Sequence, residues 1–527
     1  MGKSLKTPLV AIFLIVTALS LPTGRASAGD SFGNFGPEHQ SSDSLTVNLK
    51  RWRGSVYNLL NRISEQSGLL FIYDSKIIDN EKSAKTEEGL FSLEDAVRAI
   101  TGNYRLKIRL EGGYALIYQP EPTIERVAAS GGDSAIVNVA DSTRGYFTIS
   151  GSLKDRITNE PIIYGTISTE NNLFGTVSNL NGEFLLRLPD SLINSGIKFS
   201  HLGYQNRVIK ASVLSGQSAT FYLDQKIIPL QEVVIRAVDP NRIIREMISA
   251  RTLNYSKEPA YVTSFYRDGI EYKGNIDLSE AVLKIYKTGI NHSMSSEQVK
   301  MLKMRRMKGS SPKDSLVTKI KSTISASQQL DIVKNLPDFL QSDANEYYDF
   351  THTDITVVDD RRVYVISFVQ KEHIRAPLYK GKLYIDAANF ALTEARFEVN
   401  PLYVKQTADD IVIKRGKKID IVPEKLEYIV SYKMSDGEYM VNHVRGDLYF
   451  RVRPKGKLFS SPLHAWFEMV SCKTERKNVH PFPREERLLP REIFSNTKFF
   501  YDKDFWGNFN VILPEDNLKE FIGRYAF

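Results

Sequence analysis

With 527 residues, 42% of them hydrophobic and 25% charged, the chain is long enough for about three globular domains, and its composition excludes a disordered or fibrous protein. The formal charge of +8 falls to +5 once Lys3, Lys6 and Arg25 in the first 28 residues are set aside, an excess too small to point to nucleic acid. The single cysteine, Cys472, can form no intrachain disulfide, and its setting after Trp466-Phe467-Glu468-Met469-Val470-Ser471 predicts a packed thiol on a strand.

Lys3 and Lys6 precede an apolar run from Pro8 to Leu21 and then Ala26-Ser27-Ala28, a small-residue cleavage site. Residues 1–28 read as a removed secretory signal, and residues 29–44 as a linker. No cysteine sits near that site to take a lipid, and nothing downstream offers the roughly 18 unbroken apolar residues of a spanning helix. The mature chain is therefore expected in the periplasm, either free or at a membrane face such as the inner face of the outer membrane.

Leu45, Val47 and Leu49 alternate as a short strand, after which the period changes to that of a helix. Ser55 is placed to cap it, Val56, Leu59, Leu60 and Ile63 share one face, and Gly68 is placed to end it. Leu69 to Tyr73 reads as a buried strand. A second helix opens at Ser92 with Asp95 in a capping-box position, buries Leu93, Ala96, Val97 and Ile100, and stops at Gly102. Tyr104 to Leu110 and Tyr114 to Tyr118 form a hairpin across Gly112-Gly113. The segments Ser64-Glu65-Gln66-Ser67-Gly68-Leu69, Phe71-Ile72-Tyr73-Asp74 and Ser92-Leu93-Glu94-Asp95-Ala96-Val97 resemble the secretin and TonB short N-terminal (STN) domain. The resemblance covers residues 45–119 and implies a small βαβ-type periplasmic domain that passes a signal to a regulator by protein contact; a stable spacer is the plainer alternative.

Residues 120–145 turn polar and small and read as a second linker. From 146 to 236 short strands recur: Phe147 and Ile149, Ile162 to Ser168, Phe174 to Ser178, Glu183 to Leu188, Ile197 to Ser200, Arg207 to Ala211 and Phe221 to Leu223. An Asn181-Gly182 turn joins two of them. This spacing predicts an antiparallel β-sandwich of about seven strands. Gly175-Thr176-Val177-Ser178-Asn179-Leu180-Asn181-Gly182-Glu183-Phe184, Leu202-Gly203-Tyr204 and Leu230-Gln231-Glu232-Val233-Val234-Ile235 resemble the carboxypeptidase-regulatory-like domain at the front of Bacteroidetes outer-membrane receptors, which implies binding or spacing. Asn179 and Asn181 suit a cation site, but loop residues that tolerate left-handed angles need none. The roughly 290 residues after Arg236 are too few for the barrel of about 22 strands that follows these modules in receptors.

In residues 237–527, Asp239-Pro240 can start a helix with Ile243, Ile244, Met247 and Ile248 on one stripe. Strands are expected over 260–267, 278–288, 354–369, 379–386, 391–399, 411–414, 426–434, 439–451 and 465–474. Residues 314–340, with Ile320, Ile324, Leu330, Ile332 and Val333, are expected to be helical or looped and to cover one face of a large curved antiparallel sheet. Gly381 to Asp386 followed by Leu392 to Phe397 is similar to a strand pair of lipoprotein-carrier-like half-barrels, which implies an apolar groove for acyl chains. Phe505-Trp506-Gly507-Asn508-Phe509 and Phe527 read as a docked tail.

No His-Glu-x-x-His, Gly-x-Ser-x-Gly, Gly-x-x-x-x-Gly-Lys or Cys-x-x-Cys occurs, so no zinc-hydrolase, serine-nucleophile, phosphate-loop or redox motif is present, and no cofactor or metal is expected. Asp359-Asp360 and Asp409-Asp410 read as solvated turns. Lys300, Lys303, Arg305, Arg306, Lys308 and Lys313 interleave with Met301, Leu302, Met304 and Met307, a composition suited to anionic headgroups or simply to a solvated loop or helix face. The whole reads as a multi-domain α+β protein. The expected function is that of a non-catalytic adaptor or signalling component tied to TonB-dependent receptor systems, its partner an outer-membrane receptor or periplasmic regulator and no nucleic acid. Lipid or lipoprotein binding by the C-terminal body, or an enzyme with an unrecognised site, are the alternatives.

Overall fold

The computed structural model describes residues 45–73, 78, 82–111, 114–118, 145–216, 218–226, 239–307, 309, 319–320, 323–408, 412–414, 419–456, 459–488 and 505–523. Residues 1–44 and 119–144, which hold the expected signal and most of the expected linkers, Gly112-Gly113, Leu230 to Ile235, Lys308, Lys313, Asp409-Asp410 and Phe527 lie outside these residues. The chain divides into two compact units, one of residues 1–71 and 78–120, the other of residues 72–77 and 121–527. Strands outweigh helices throughout, so the architecture is more strongly β than an even α+β mixture.

In the first unit, β1 (Thr46–Leu49) pairs antiparallel with β5 (Gly89–Ser92), and β2 (Arg53–Ser55) with β4 (Ser83–Lys85). β3 (Leu70–Tyr73) straddles the point in the sequence where the two units divide, and β6 (Lys107–Glu111) pairs antiparallel with β7 (Tyr114–Tyr118). Helix Val56–Ser67 begins where the Asn58 amide donates to Ser55 Oγ at 3.4 Å and ends at Gly68 with φ 68°. Helix Leu93–Thr101 begins where the Asp95 amide donates to Ser92 Oγ at 3.1 Å, with Gly102 (φ 69°) at its end. Leu59, Leu60, Ile63, Ala96, Val97 and Ile100 are buried, as the helical spacing requires.

The second unit begins with seven strands in two sheets. β8 (Tyr146–Asp155) runs between β11 (Glu183–Pro189) and β14 (Ser218–Leu223); β9 (Thr166–Thr169) lies between β10 (Gly175–Val177) and β12 (Gly196–Ser200), which pairs with β13 (Arg207–Lys210). The β8–β14 pair is parallel, which departs from the all-antiparallel expectation. That pairing brings the backbones so close that a Cβ on Gly151 would stand 2.0 Å from the Ala219 carbonyl oxygen. Phe184, Phe199 and Phe221 pack ring to ring at 4.5 to 5.8 Å and fill the space between the sheets.

Beyond Asp239 a ten-stranded antiparallel sheet forms the body, ordered β17-β16-β15-β26-β25-β24-β22-β21-β20-β19. Its strands are β15 (Ala260–Tyr272), β16 (Asn275–Lys287), β17 (Gln298–Met307), β19 (Tyr348–Val358), β20 (Arg361–Gln370), β21 (Tyr379–Asp386), β22 (Leu392–Val399), β24 (Ile419–Ser435), β25 (Glu438–Pro454) and β26 (Ser461–Glu475). The segment expected at 411–414 stands apart, since β23 (Val412–Lys414) pairs with β18 (Lys319–Ile320). β17 was not expected as a strand: its alternation of lysine, arginine and methionine is amphipathic at either period, and its partner strand settles the matter.

One face of the sheet buries Tyr266, Leu283, Val444, Phe467 and Met469 against helix Pro240–Ser249, helix Thr323–Gln329 and the turns after it. Phe339 plugs this face, stacked on Phe368 at 4.4 Å and edge-on to Tyr348, Tyr379 and Phe397. Segment 323–340 thus covers the sheet as its apolar residues require, with Ile324, Leu330, Ile332 and Val333 buried. Because side chains alternate along a strand, residues 265, 267, 466, 468 and 470 point to the opposite face. There the sandwich and residues 505–523 lie on the sheet.

Candidate functional site

The densest set of ionisable groups sits on that second face. Strand register places Arg305 opposite Glu280, Glu280 opposite Arg267, Arg267 opposite Glu468, and Glu468 opposite Arg445, one residue from each of β17, β16, β15, β26 and β25. The result is a straight row of alternating charge across five strands. Cross-strand neighbours on one face stand about 5 Å apart at Cβ, within reach of a guanidinium and a carboxylate.

Arg305 Nε reaches Glu280 Oε2 at 2.5 Å, Arg267 Nε donates to Glu280 Oε1 at 2.8 Å, and Arg267 Nη1 donates to Glu468 Oε1 at 3.0 Å. Arg445 Nη1 donates to Glu468 Oε2 at 3.2 Å and grips Asp447 with two further nitrogens at 2.7 and 2.9 Å. Asp447 also meets His464 Nε2 at 2.9 Å. Arg267 is fully buried, and Arg305, the most accessible of the five, is only 8% exposed. Burial pushes the Glu280 and Glu468 carboxyls up, but Arg267 and Arg305 at Glu280, and His443 with Arg445 and Arg267 at Glu468, more than offset it and hold both below the usual carboxylate range. Glu515, above Glu468, goes the other way, raised by burial and by the Glu468 charge.

Residues 505–523 cover the row. Arg267 Nη2 donates to the Ile512 carbonyl at 2.8 Å, and the Arg305 guanidinium lies 5.0 Å from the Trp506 ring centroid. From the sandwich, Tyr164 faces Arg445 at 5.7 Å. The strap is fixed to the sandwich in turn. The Asn510 side chain accepts from the Arg187 amide at 2.5 Å and donates to the Arg187 carbonyl at 3.1 Å, so it pairs with β11 as a neighbouring strand would. Asn179 Nδ2 donates to the Leu513 and Pro514 carbonyls at 3.3 Å, while its Oδ1 accepts from the Asn181 and Glu183 amides. Asn179 therefore organises a hairpin and ties down the strap, and no cation is needed to explain it. Among the described residues no group of three His, Cys, Asp or Glu side chains is placed to hold a metal.

The sandwich also grips the far hairpins. Asn172 Nδ2 donates to the Met434 carbonyl at 2.5 Å, and Ser435 Oγ to the Asn171 carbonyl at 2.9 Å. The Gly203 amide donates to the Val357 carbonyl at 2.7 Å, Lys198 pairs with Asp359 at 3.2 Å and Lys226 with Asp360 at 3.2 Å. Asp359 and Asp360 do form a turn, with φ 48° and 58°; Asp359 is half-buried against Lys198 of the sandwich, whereas Asp360 stays exposed beside Lys226.

Of the six basic residues expected at a membrane, the structure takes Arg305 out of contention by burying it in the row. Lys300 pairs with Glu486 at 2.7 Å, Lys303 donates to the Phe505 carbonyl at 2.6 Å, and Arg306 is half-buried on the same strand. Cys472 is buried at a bulge between β15 and β26, its S–H directed at the Asn510 carbonyl at 3.3 Å, and burial pushes the thiol up to about 11. Lys433, also buried, donates to the Ser471 carbonyl at 2.8 Å and is lowered to about 8 by its burial.

The opposite face holds a second polar cluster. Lys287 meets Asp331 at 2.7 Å, Lys334 meets Glu297 at 2.6 Å, and the Tyr432 hydroxyl donates to Asp331 at 3.2 Å. The cavity beside it, lined by Tyr255, Lys287, Lys334 and Tyr439, has about 30 Å³ of space, enough for one or two waters.

No curated protein matches the chain. Among solved structures, MucB in complex with MucA(peri) covers 45% of this chain and 99% of its own at 9% identity and a TM-score of 0.15. A putative outer membrane lipoprotein-sorting protein domain from Vibrio parahaemolyticus covers 46% and 95% at 8% identity and a TM-score of 0.20. A LolA superfamily protein from Nitrosomonas europaea covers 47% and 96% at 12% identity and a TM-score of 0.17. Scores this low carry no argument for this chain. No helix among the described residues is long and apolar enough to cross a membrane. Residues 149–235 match the CarboxypepD_reg-like domain, so the sandwich that clamps the charged row is a domain of that family.

Proposed function

We propose that the chain is an exported, non-catalytic adaptor in which the sandwich and the ten-stranded sheet make one rigid trunk, and the N-terminal unit, read as an STN domain, makes the partner contact. The observation that carries this reading is the sealed row of Arg305, Glu280, Arg267, Glu468 and Arg445. Its carboxylates are saturated by arginines, and arginine is a poor proton acceptor at ordinary pH. Charge placed in this way fixes two layers together. The inner face is filled by Phe339 and its neighbours, so an acyl-carrying groove has less support. A partner such as an outer-membrane receptor or a periplasmic regulator fits a chain led by a secretory signal.

In-cell crosslinking of the full chain and of a chain lacking Leu45 to Tyr118 tests this. Loss of the main crosslinked partner on deletion is the expected result. An unchanged partner profile removes the adaptor reading.

A further inference from the structure

Of the five large apolar side chains that the described residues of the ten-stranded body leave in solvent, four lie toward one end; the fifth, Leu253, lies beside the Asn389 turn at the other. Leu402, just after β22, is 81% exposed; Phe459, between β25 and β26, is 87% exposed; Val422 on β24 and Val369 near the end of β20 are partly exposed. Antiparallel order puts the ends of β20, β22 and β25 and the starts of β24 and β26 at the same end of the sheet. The sandwich grips the opposite end, at Asp359, Met434 and Ser435.

β24 and β25 project past the end of β22, because Glu398, near the last residue of that strand, already pairs with Glu427. Their projecting part pairs Ile419 with Pro454 and carries Lys425, Arg451, Arg453 and Lys455 against Asp420 and Glu424. Lys405 and Lys455 are exposed and pair with no acidic residue among those described. Leu402 and Phe459 stand on separate loops, each within four residues of an exposed lysine, and are a poor match to a flat protein interface. They match a bilayer, where the apolar tips enter the headgroup region and the cations meet anionic lipid.

We infer that this end of the sheet seats on an anionic phospholipid surface, with Phe459 and Leu402 entering it and Lys405 and Lys455 meeting headgroups. The seat lies apart from the strand of Lys300, Lys303 and Arg305, whose charges are engaged within the protein. It does not depend on the partner contact made by residues 45–118.

The test is co-sedimentation of the full chain with phosphatidylcholine vesicles, with and without phosphatidylglycerol, at low salt. The wild type is expected to bind the phosphatidylglycerol vesicles and to release as salt rises. The double variant F459D/L402D should lose roughly tenfold in partitioning, and K405S and K455S about fivefold each. These positions face solvent, so an unchanged melting temperature confirms that each variant is folded. In a separate variant, F459W should shift its emission to the blue on binding. Wild type left in the supernatant, binding equal with and without phosphatidylglycerol, an apolar double variant that binds as well as wild type, or an unshifted F459W spectrum would each overturn the inference.

Discussion

Arg267 and Glu468 stand directly opposite each other on adjacent strands, both essentially inaccessible to water, joined at 3.0 Å although 201 residues separate them in sequence. Removing one partner of such a pair strands a buried charge. Glu468→Ala is expected to cost about 3–5 kcal/mol in urea unfolding. Replacing Arg305, Glu280, Arg267 and Glu468 together by apolar residues of similar size, which leaves Arg445 paired with Asp447, should fall closer to wild type than the single variant. A quadruple variant worse than the single one would mean that the row is not a simple electrostatic clamp.

Stability should fall on the acid side. The Glu280 and Glu468 carboxyls are held below their ordinary value of 4.5, Glu468 at about 2. A depressed carboxyl contributes stability above its unfolded value and loses it as pH falls through the folded one, so the melting temperature should decline between about pH 4.5 and 2. Glu515, raised by burial, has the opposite sign, and Glu515→Gln should hold or slightly raise the melting temperature at neutral pH. A melting temperature flat across the acid window would refute this account.

The strap depends on one amide. Asn510→Ala leaves the Arg187 amide and carbonyl without the partners at 2.5 and 3.1 Å, a loss of about 1–3 kcal/mol. Hydrogen exchange should then rise over residues 505–523 before the sheet itself opens. Equal protection in variant and wild type would show that the apolar contacts of Val511 and Ile512 suffice.

Cys472 should be inert while the trunk is closed. Its burial and a thiol raised to about 11 leave little thiolate at neutral pH. A chromogenic disulfide reagent should therefore titrate no thiol in the native chain and one after denaturation. Fast native labelling would place the strap away from the sheet in solution.

Local chemistry was legible in the sequence, and long-range register was not. Ser55, Gly68, Ser92 and Gly102 announce their helices because a cap acts within a few residues. Asn181-Gly182 announces its hairpin for the same reason. Arg305 was read as a surface cation because its acidic partner, Glu280, lies on another strand, and which residues face each other depends on register fixed by tertiary packing. Asn179 was weighed as a turn residue or a cation ligand and not as a tether, since the strap it holds comes 334 residues later. Asp359 and Asp360 form the expected turn and Asp360 is solvated, but the pairing of Asp359 with Lys198 of the sandwich was not legible.

The order of the chain gives that strap a role in time. It follows every strand of the sheet, so a polypeptide emerging N-terminus first completes the sheet and displays its charged row before Trp506 to Gly523 arrive to cover it. Maturation of the trunk is thus a latching event that waits on a late segment. A truncated chain that stops short of the latch would carry an open line of arginines and a loosened sandwich, the features by which an unfinished molecule can be told from a finished one.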